Sequence, residues 1–326
     1  MSELTCVEIC AGAGGQALGL EEAGFVHEAV VELDMNACET LRRNRGDDWK
    51  IIEGDVADVD GRPFEGLDLL AGGVPCPPFS IAGKQLGHDD ERDLFPQALR
   101  LVEETCPRAV LLENVRGLAT RTFDSYRAQI LGRLQSLGYE TWWRLVHASD
   151  YGVPQLRPRF VLVAIRPQWA AWFRWPEPLP QRPPSVGEAL RDLMGSRGWP
   201  GLDKWVQRAS GIAPTIVGGS KKHGGPDLGP TRARAEWREL GVNGLGIADD
   251  APGPCHPIDQ PPKLTLRMVA RLQGFPDTWE VSGRKTAAYR QIGNAFPPPV
   301  AKRLGDAVAA ALNHPSSGTA VGLDAR

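Results

Sequence analysis

The residue best suited to nucleophilic chemistry is Cys76, held between prolines in Gly72-Gly73-Val74-Pro75-Cys76-Pro77-Pro78-Phe79-Ser80. It follows the apolar run Leu67 to Ala71, a predicted strand. Prolines fix φ and restrict their neighbours, so the thiol is expected on a stiff loop at the strand's carboxyl end. Taken alone, a free cysteine is more often a small buried hydrophobe than a nucleophile. Glu113-Asn114-Val115 closes another apolar run and brings an acid to the same rim. Beside a positioned thiol that acid is a general-acid candidate; by itself it would be a solvated turn residue. Gln155-Leu156-Arg157-Pro158-Arg159 adds two guanidiniums leading into a strand. Such arginines hold a carboxylate or an anionic loop, hydrogen-bond a carbonyl, or form a surface salt bridge.

A second group of residues suits a nucleoside ligand. Glu8-Ile9-Cys10-Ala11-Gly12-Ala13-Gly14-Gly15 joins a predicted strand to a predicted helix. Its glycines admit close backbone approach, and the helix N-terminus favours negative charge. Glu32 ends the next strand, about twenty residues on, where a carboxylate accepts hydrogen bonds from ribose hydroxyls. Asp55 follows a third strand, at the edge where an adenine amino group would lie; its bland alternative is a turn aspartate. Together these fit an adenosine cofactor, either NAD or S-adenosylmethionine.

The elements that must position these groups alternate regularly. Strands are predicted at Leu4 to Cys10, Val26 to Glu32, Lys50 to Glu53, Leu67 to Ala71 and Ala109 to Glu113, with helices at Gln16 to Glu22, Met35 to Arg43 and Leu94 to Glu104. This βαβα rhythm predicts an α/β fold: a doubly wound, mostly parallel sheet with helices on both faces. Thr141 to Val146 and Phe160 to Ile165 read as an antiparallel pair at its end. After Arg166 the texture changes. Trp and Pro crowd residues 168–184, and Gly, Pro and basic residues dominate 214–234. The expected organisation is a catalytic and cofactor-binding domain over 1–175 plus 285–313, a smaller loop-rich domain over 176–284, and a disordered tail over 314–326.

A net charge of −3 excludes a generally basic nucleic-acid coat, so any such contact must be a local patch. Six cysteines without CxxC spacing, and no His/Cys cluster, give no expectation of a metal. No secretory signal or membrane-length apolar run is visible, and a reduced, cytoplasmic protein is expected.

Seven ordered motifs resemble those of the DNA cytosine-5 methyltransferases. They are the Gly12-x-Gly14-Gly15 turn, Glu32, Pro75-Cys76, Glu113-Asn114-Val115, Gln155-x-Arg157-x-Arg159, Arg271-Leu272-Gln273-Gly274-Phe275-Pro276 and Gln291-Ile292-Gly293-Asn294-Ala295-Phe296-Pro297-Pro298. The match runs from about Leu4 to about Leu312 and leaves only the middle stretch uncovered. The resemblance implies a Rossmann-like S-adenosylmethionine-dependent fold with a target-recognition domain, and methyl transfer to C5 of a cytosine flipped out of double-stranded DNA. It implies that Cys76 adds to C6, that Glu113 acts at N3, that Arg159 contacts O2 and that Arg157 steadies the cysteine loop. Cofactor contacts are implied for Cys10, Ala11, Gly12, Ala13, Gly14, Gly15, Glu32, Leu33, Asp55, Val56, Pro75 and Asn294. DNA contacts are expected from Ser80 and Lys84, from the basic glycine-rich segment Gly218, Gly219, Ser220, Lys221, Lys222, and from Arg232 and Arg234, with Arg238 beside them.

The chain departs from the family at Cys10, where phenylalanine is usual, at Glu8, where aspartate is frequent, and at Pro77, where glutamine is frequent. A monomer is expected, with a separately encoded restriction endonuclease as a possible partner. A transfer-RNA cytosine-5 methyltransferase is the nearest rival, but the Cys-Phe-Thr segment usual there is absent. A catalytically idle DNA-binding partner is a rival of another class, opposed by intact Cys76 and Glu113. A nicotinamide dehydrogenase accounts only for the glycine turn and Glu32.

Overall fold

The computed structural model describes residues 3–75, 93–219 and 225–315. Seven strands form one sheet: β1 Leu4–Ile9, β2 Phe25–Glu32, β3 Ile51–Glu53, β4 Leu69–Gly73, β5 Ala109–Val115, β6 Glu140–His147 and β7 Pro158–Ile165. The first helices are α1 Gly15–Glu22, α2 Met35–Arg45, α3 Phe95–Thr105, α4 Asp124–Ser136, α5 Pro167–Ala170 and α6 Val186–Gly195. They are followed by α7 Leu202–Arg208, α8 Thr231–Glu239, α9 Leu266–Leu272, α10 Lys285–Asn294 and α11 Pro298–Leu312.

The strand order is β3-β2-β1-β4-β5-β7-β6. β1 to β5 run parallel, and β7 pairs antiparallel with both β5 and β6. Strands buried on both faces need apolar side chains throughout, which is why Ala109-Val110-Leu111-Leu112 shows no alternation. The chain winds outward from β1 in one direction to β3 and in the other from β4 to β5. The carboxyl ends of β1 and β4 therefore flank the switch point where open α/β sheets form their ligand crevice. Gly72 makes the strands fit there: a Cβ on it would stand 2.6 Å from the Ile9 side chain.

α11 returns across the chain and packs on α1. Two prolines start it, at positions where a missing N–H costs nothing. Glycines set the closeness of the seam. A Cβ on Gly19 would lie 2.3 Å from the Pro298 carbonyl oxygen, and one on Gly305 would lie 2.7 Å from Ala23 Cβ.

The middle stretch is more helical than its Trp- and Pro-rich sequence suggests: α6 to α8 lie within the part expected to be loop-rich. The signal for α6 was present. Ser185 and Glu188 form a reciprocal capping box, with Ser185 N–H donating to Glu188 Oε2 at 2.7 Å and Glu188 N–H to Ser185 Oγ at 3.2 Å. The tryptophans anchor the connecting loops. Trp199 Nε1 donates to the His256 carbonyl at 3.0 Å, and Trp205 Nε1 to that of Gly241 at 3.1 Å. Apolar packing among the described residues runs across the boundary expected near residue 176. Val186, Leu190, Trp205 and Trp237 belong to the same apolar cluster as Leu18, Val30 and Leu41.

The α1–α11 seam can be tested by two small substitutions. Gly19→Ala should destabilise the protein by about 1–3 kcal/mol, the usual cost of overpacking. Gly132→Ala, in α4 with nothing within 4 Å of its Cβ position, should stabilise it by about 0.5–1 kcal/mol. Urea denaturation of both variants checks the opposite signs.

Candidate active site

A cavity of about 210 Å³ opens at the switch point. β1 and its turn contribute Glu8, Cys10, Ala11 and Gly12; β2 and the turn after it contribute Glu32 and Asp34; Gly73 and Glu113 end β4 and β5. α10 closes the mouth with Arg290, Gln291 and Asn294. Four carboxyl side chains thus face the cavity against one guanidinium. Such a lining suits a ligand carrying positive charge.

The Glu32 carboxylate organises the mouth. Oε2 accepts the Gly12 N–H at 2.7 Å, and Oε1 accepts those of Leu33 at 2.9 Å and Asp34 at 2.7 Å. A carboxylate has about four acceptor sites, so room remains for a ligand hydroxyl. The turn it holds is tight: Cys10, Gly12 and Gly14 all have positive φ, at 54°, 56° and 79°. At Gly12 there is nothing within 4 Å of a Cβ position, so the backbone stands open to a ligand. Cys10 carries a side chain in a conformation that L-residues seldom adopt, strain of the kind found at ligand sites.

The catalytic rim follows from strand register. Glu113 lies opposite Val161 and Val115 opposite Arg159, so Glu113 and Arg159 are diagonal neighbours on one face. Arg159 Nε approaches Glu113 Oε1 to 2.8 Å with both side chains a tenth exposed. The N–H is not aligned on that oxygen, so the contact is an ion pair and not a formed hydrogen bond. Burial pushes the Glu113 carboxyl up, opposed by Arg159 and Arg157, and the net direction is upward. Such an acid is better able to hold a proton than an exposed one.

Arg157 is fully buried and reaches other partners. Nη1 donates to the Ile216 carbonyl at 2.6 Å, and Nη2 donates to those of Gly293 at 2.8 Å and Ala295 at 2.9 Å. Its described contacts therefore clamp the end of α10 to the 213–219 segment. Gln155, two residues earlier on the same face, accepts the Ile216 N–H at 2.8 Å and donates to the Leu272 carbonyl at 3.0 Å. Cys76 itself, with Ser80 and Lys84, lies outside the described residues. The base of its loop is pinned on both sides: Asn114 Nδ2 donates to the Val74 carbonyl at 2.7 Å, and the Leu94 N–H to that of Pro75 at 3.3 Å.

Of the residues expected to hold a cofactor, Cys10, Ala11, Gly12, Glu32 and Asn294 line the cavity. Ala13, Gly14, Gly15, Leu33, Asp55, Val56 and Pro75 do not. Gly15 serves packing, since its Cβ would stand 2.2 Å from the Phe296 carbonyl oxygen, and the Ala13 carbonyl accepts Trp279 Nε1 at 3.0 Å. Asp55 caps the turn after β3 by accepting the Ala57 N–H at 2.9 Å, while Val56 is buried. Gly218 is buried against α10, its Cβ position 2.4 Å from the Arg290 carbonyl oxygen, and Asn294 Nδ2 donates to the Gly219 carbonyl at 3.2 Å. Arg232 and Arg234 lie on α8, where Arg232 is exposed and contacts Glu236 at 3.2 Å. Ser220, Lys221 and Lys222 fall outside the described residues. Sequence reasoning missed Glu8, Gln16, Asp34, Arg290 and Gln291 as lining residues. The signal for the last two was their helical spacing, four and three residues before Asn294 on α10. Among the described residues no group of His, Cys, Asp or Glu could hold a metal, and no helix is long and apolar enough to cross a membrane.

An acidic cavity at the switch point of an open α/β sheet, with an acid–arginine pair at its edge, is the kind of site that suits an adenosyl cofactor. The family is fixed by comparison. The chain belongs to the C-5 cytosine-specific DNA methylase family, whose model matches residues 4–310. It is 59% identical over 322 residues to Type II methyltransferase M.NaeI of Lentzea aerocolonigenes, covering 98% of this chain and 78% of that protein. It is 51% identical over 312 residues to Type II methyltransferase M.NgoMIV of Neisseria gonorrhoeae, covering 95% of this chain and 98% of that one. The fold is shared with a solved structure described as a DNA modification methyltransferase encoded within an E. coli prophage, at 23% identity and a TM-score of 0.67, covering 95% of this chain and all of that one.

The protein is thus a DNA cytosine-5 methyltransferase, and its cofactor is S-adenosylmethionine. The cavity fits that group on its own evidence. Gly12 leaves an open cradle, both Glu8 oxygens and Gln16 Oε1 lack hydrogen-bond partners among the described residues, and the lining is acidic.

Beneath the cavity, burial lowers His27 to about 4. Because the folded form resists protonation while the unfolded chain takes up a proton near the ordinary value, His27 costs no stability above about pH 6.5. Stability falls as pH drops from there to about 4, by an amount on the order of 3 kcal/mol. Denaturation midpoints measured across that range should fall for the native chain and flatten for His27→Gln.

Proposed function

We propose that this enzyme methylates one cytosine within a short specific sequence of double-stranded DNA, as the modification half of a restriction–modification system in the cytoplasm. The observation that carries the catalytic part is the buried Glu113–Arg159 pair at the cavity's edge, beside the pinned start of the Cys76 loop. The restriction context is supported by the printed names of M.NaeI and M.NgoMIV.

Cytosine C5 is a poor nucleophile. Addition of the Cys76 thiolate to C6 turns C5 into an enamine carbon able to accept a methyl cation equivalent. S-adenosylmethionine, when bound, supplies that methyl from a sulfonium and leaves as a neutral thioether. Glu113 holds a proton at N3 and offsets the charge that addition places on the ring. Arg159 meets the base at O2 and keeps Glu113 in place. Arg157 acts at one remove, holding the end of α10 so that Asn294 stays at the cavity mouth. Loss of the C5 proton to a base then expels the Cys76 thiolate and restores the aromatic ring. The target must leave the stack for any of this to occur.

Residues 176–284 would read the sequence, with the 218–222 segment and α8 against the duplex and the enzyme acting as a monomer. Arg232 and Arg234 would contact phosphates or bases, and Lys221 and Lys222 add basic residues earlier in the same stretch.

Methyl transfer from labelled S-adenosylmethionine into mixed-sequence duplex and into transfer RNA, followed by bisulfite sequencing of the duplex, tests the reading. Label should enter one DNA motif only. Cys76→Ser should abolish it, and Glu113→Gln should lower turnover by about 10²–10⁴-fold. Label confined to RNA would transfer the chemistry to the other substrate. Arg232→Ala should weaken binding to all duplexes alike and reduce the slope of log K against log salt by about 1, measured by fluorescence anisotropy.

A further inference from the structure

Two buried titratable groups stand under the cofactor cavity and have no task in the chemistry above. Glu8, on β1, lines the cavity with its carboxyl wholly buried, and neither oxygen has a hydrogen-bond partner among the described residues. His27, on β2, does not line it and sits one layer deeper, also buried, with both ring nitrogens unpartnered. Glu8 Oε2 and His27 Nε2 are 3.9 Å apart. That is within ion-pair reach, and a closing of about 1 Å would bring it to hydrogen-bond distance. Unsatisfied polar atoms this deep are uncommon and call for an explanation.

We propose that Glu8 and His27 share one proton, and that a cationic ligand in the cavity moves it from the carboxyl to the imidazole, so that this pair favours the sulfonium cofactor over its neutral thioether product. In the transfer the Glu8 O–H bond breaks and an N–H bond forms at His27 Nε2. No electrons move and no proton enters or leaves the protein. The result is a carboxylate facing the ligand and an imidazolium behind it.

The surroundings suit both states. Burial and the nearby Glu32 push the Glu8 carboxyl up, against the amide of Ala17 in the first turn of α1, which pulls it down without completing a hydrogen bond. The remaining groups around Glu8, the Cys6 and Cys10 thiols, are themselves pushed up and stay neutral. With the cavity free of cations, both members of the pair are therefore neutral. Once His27 is charged, Trp49 offers its ring, centroids 4.7 Å apart, and the Glu21 carboxylate on α1 favours the cation. Glu21 is shared with Arg45, at 2.9 Å, and with Trp49 Nε1, at 3.1 Å, which fix its position. His27 is thus a positioning residue that acts through Glu8.

Nitrogen NMR of the full chain, labelled at histidine, tests this near pH 7.5. His27 should be neutral in the free protein and with S-adenosylhomocysteine, and an imidazolium with S-adenosylmethionine. Calorimetry adds a second reading. Native affinity for S-adenosylmethionine should vary less than about twofold between pH 6 and 8, because the proton stays inside. In His27→Gln the Glu8 proton must go to solvent, and affinity should rise up to about tenfold per pH unit. Glu8→Gln should lose about tenfold in affinity for the cofactor and much less for the thioether. A neutral His27 with cofactor bound overturns the proposal, as does an imidazolium formed equally by both ligands. Failure of the native chain to bind S-adenosylmethionine at all would instead overturn the assignment of the cavity. The NMR result on the native chain stands even if a variant does not fold.

Discussion

A guanidinium with no access to water is the constraint on which the rest of this structure depends. Burying an unpaired charge costs far more than a domain's net stability, so Arg157 must find oxygen partners wherever the chain can bring them. It finds three carbonyls, two at the end of α10 and one at Ile216. Those partners come from segments about sixty and 140 residues away in sequence, and satisfying one side chain draws them to β7. Gln155 does the same with neutral bonds, gathering Ile216 and Leu272. Gln273 extends the network by donating to the Ile292 carbonyl at 2.7 Å. The cavity mouth is built where these bonds converge.

Electrostatics divide the site into two parts. Toward the cofactor the lining is acidic and partly exposed, with Glu32 held by three backbone amides and one acceptor site left for a ligand. At the end of β5 one acid, Glu113, is buried beside two guanidiniums. The same side-chain type therefore does different work a few ångströms apart. Hydrogen bonds from the backbone make Glu32 a fixed acceptor, whereas burial makes Glu113 a group able to keep a proton. Arg290 stands between them, 3.7 Å from Asp34, as the single positive side chain on the lining.

Much of this was legible in the chain because strands and glycine turns leave local marks. The Gln155-x-Arg157-x-Arg159 spacing leading into β7 can be read directly, as can the acid at the end of β2. What could not be read is what depends on distant partners. Gly14, Gly15 and Gly218 look like ligand-binding glycines, and Gly15 and Gly218 prove to be spacers against Phe296 and Arg290. The helices α7 and α8 were hidden by Trp and Pro, residues that read as punctuation locally yet anchor loops here. Glu8 gave no hint of its burial, which arises only when β4 and α1 close over β1.

The approach of Gly218 to Gly293 bears on how such enzymes change their sequence preference. A Cβ on Gly293 would lie 2.5 Å from Gly218 Cα, so two backbones touch with no side chain between them. One backbone belongs to the middle stretch, the other to the helix end that closes the cavity mouth. Exchange of the middle stretch for another is then a joinery problem before it is one of DNA contacts. A graft that brings new reading residues but shifts its glycine by one position would wedge a side chain into that joint and spread the cofactor cavity's mouth.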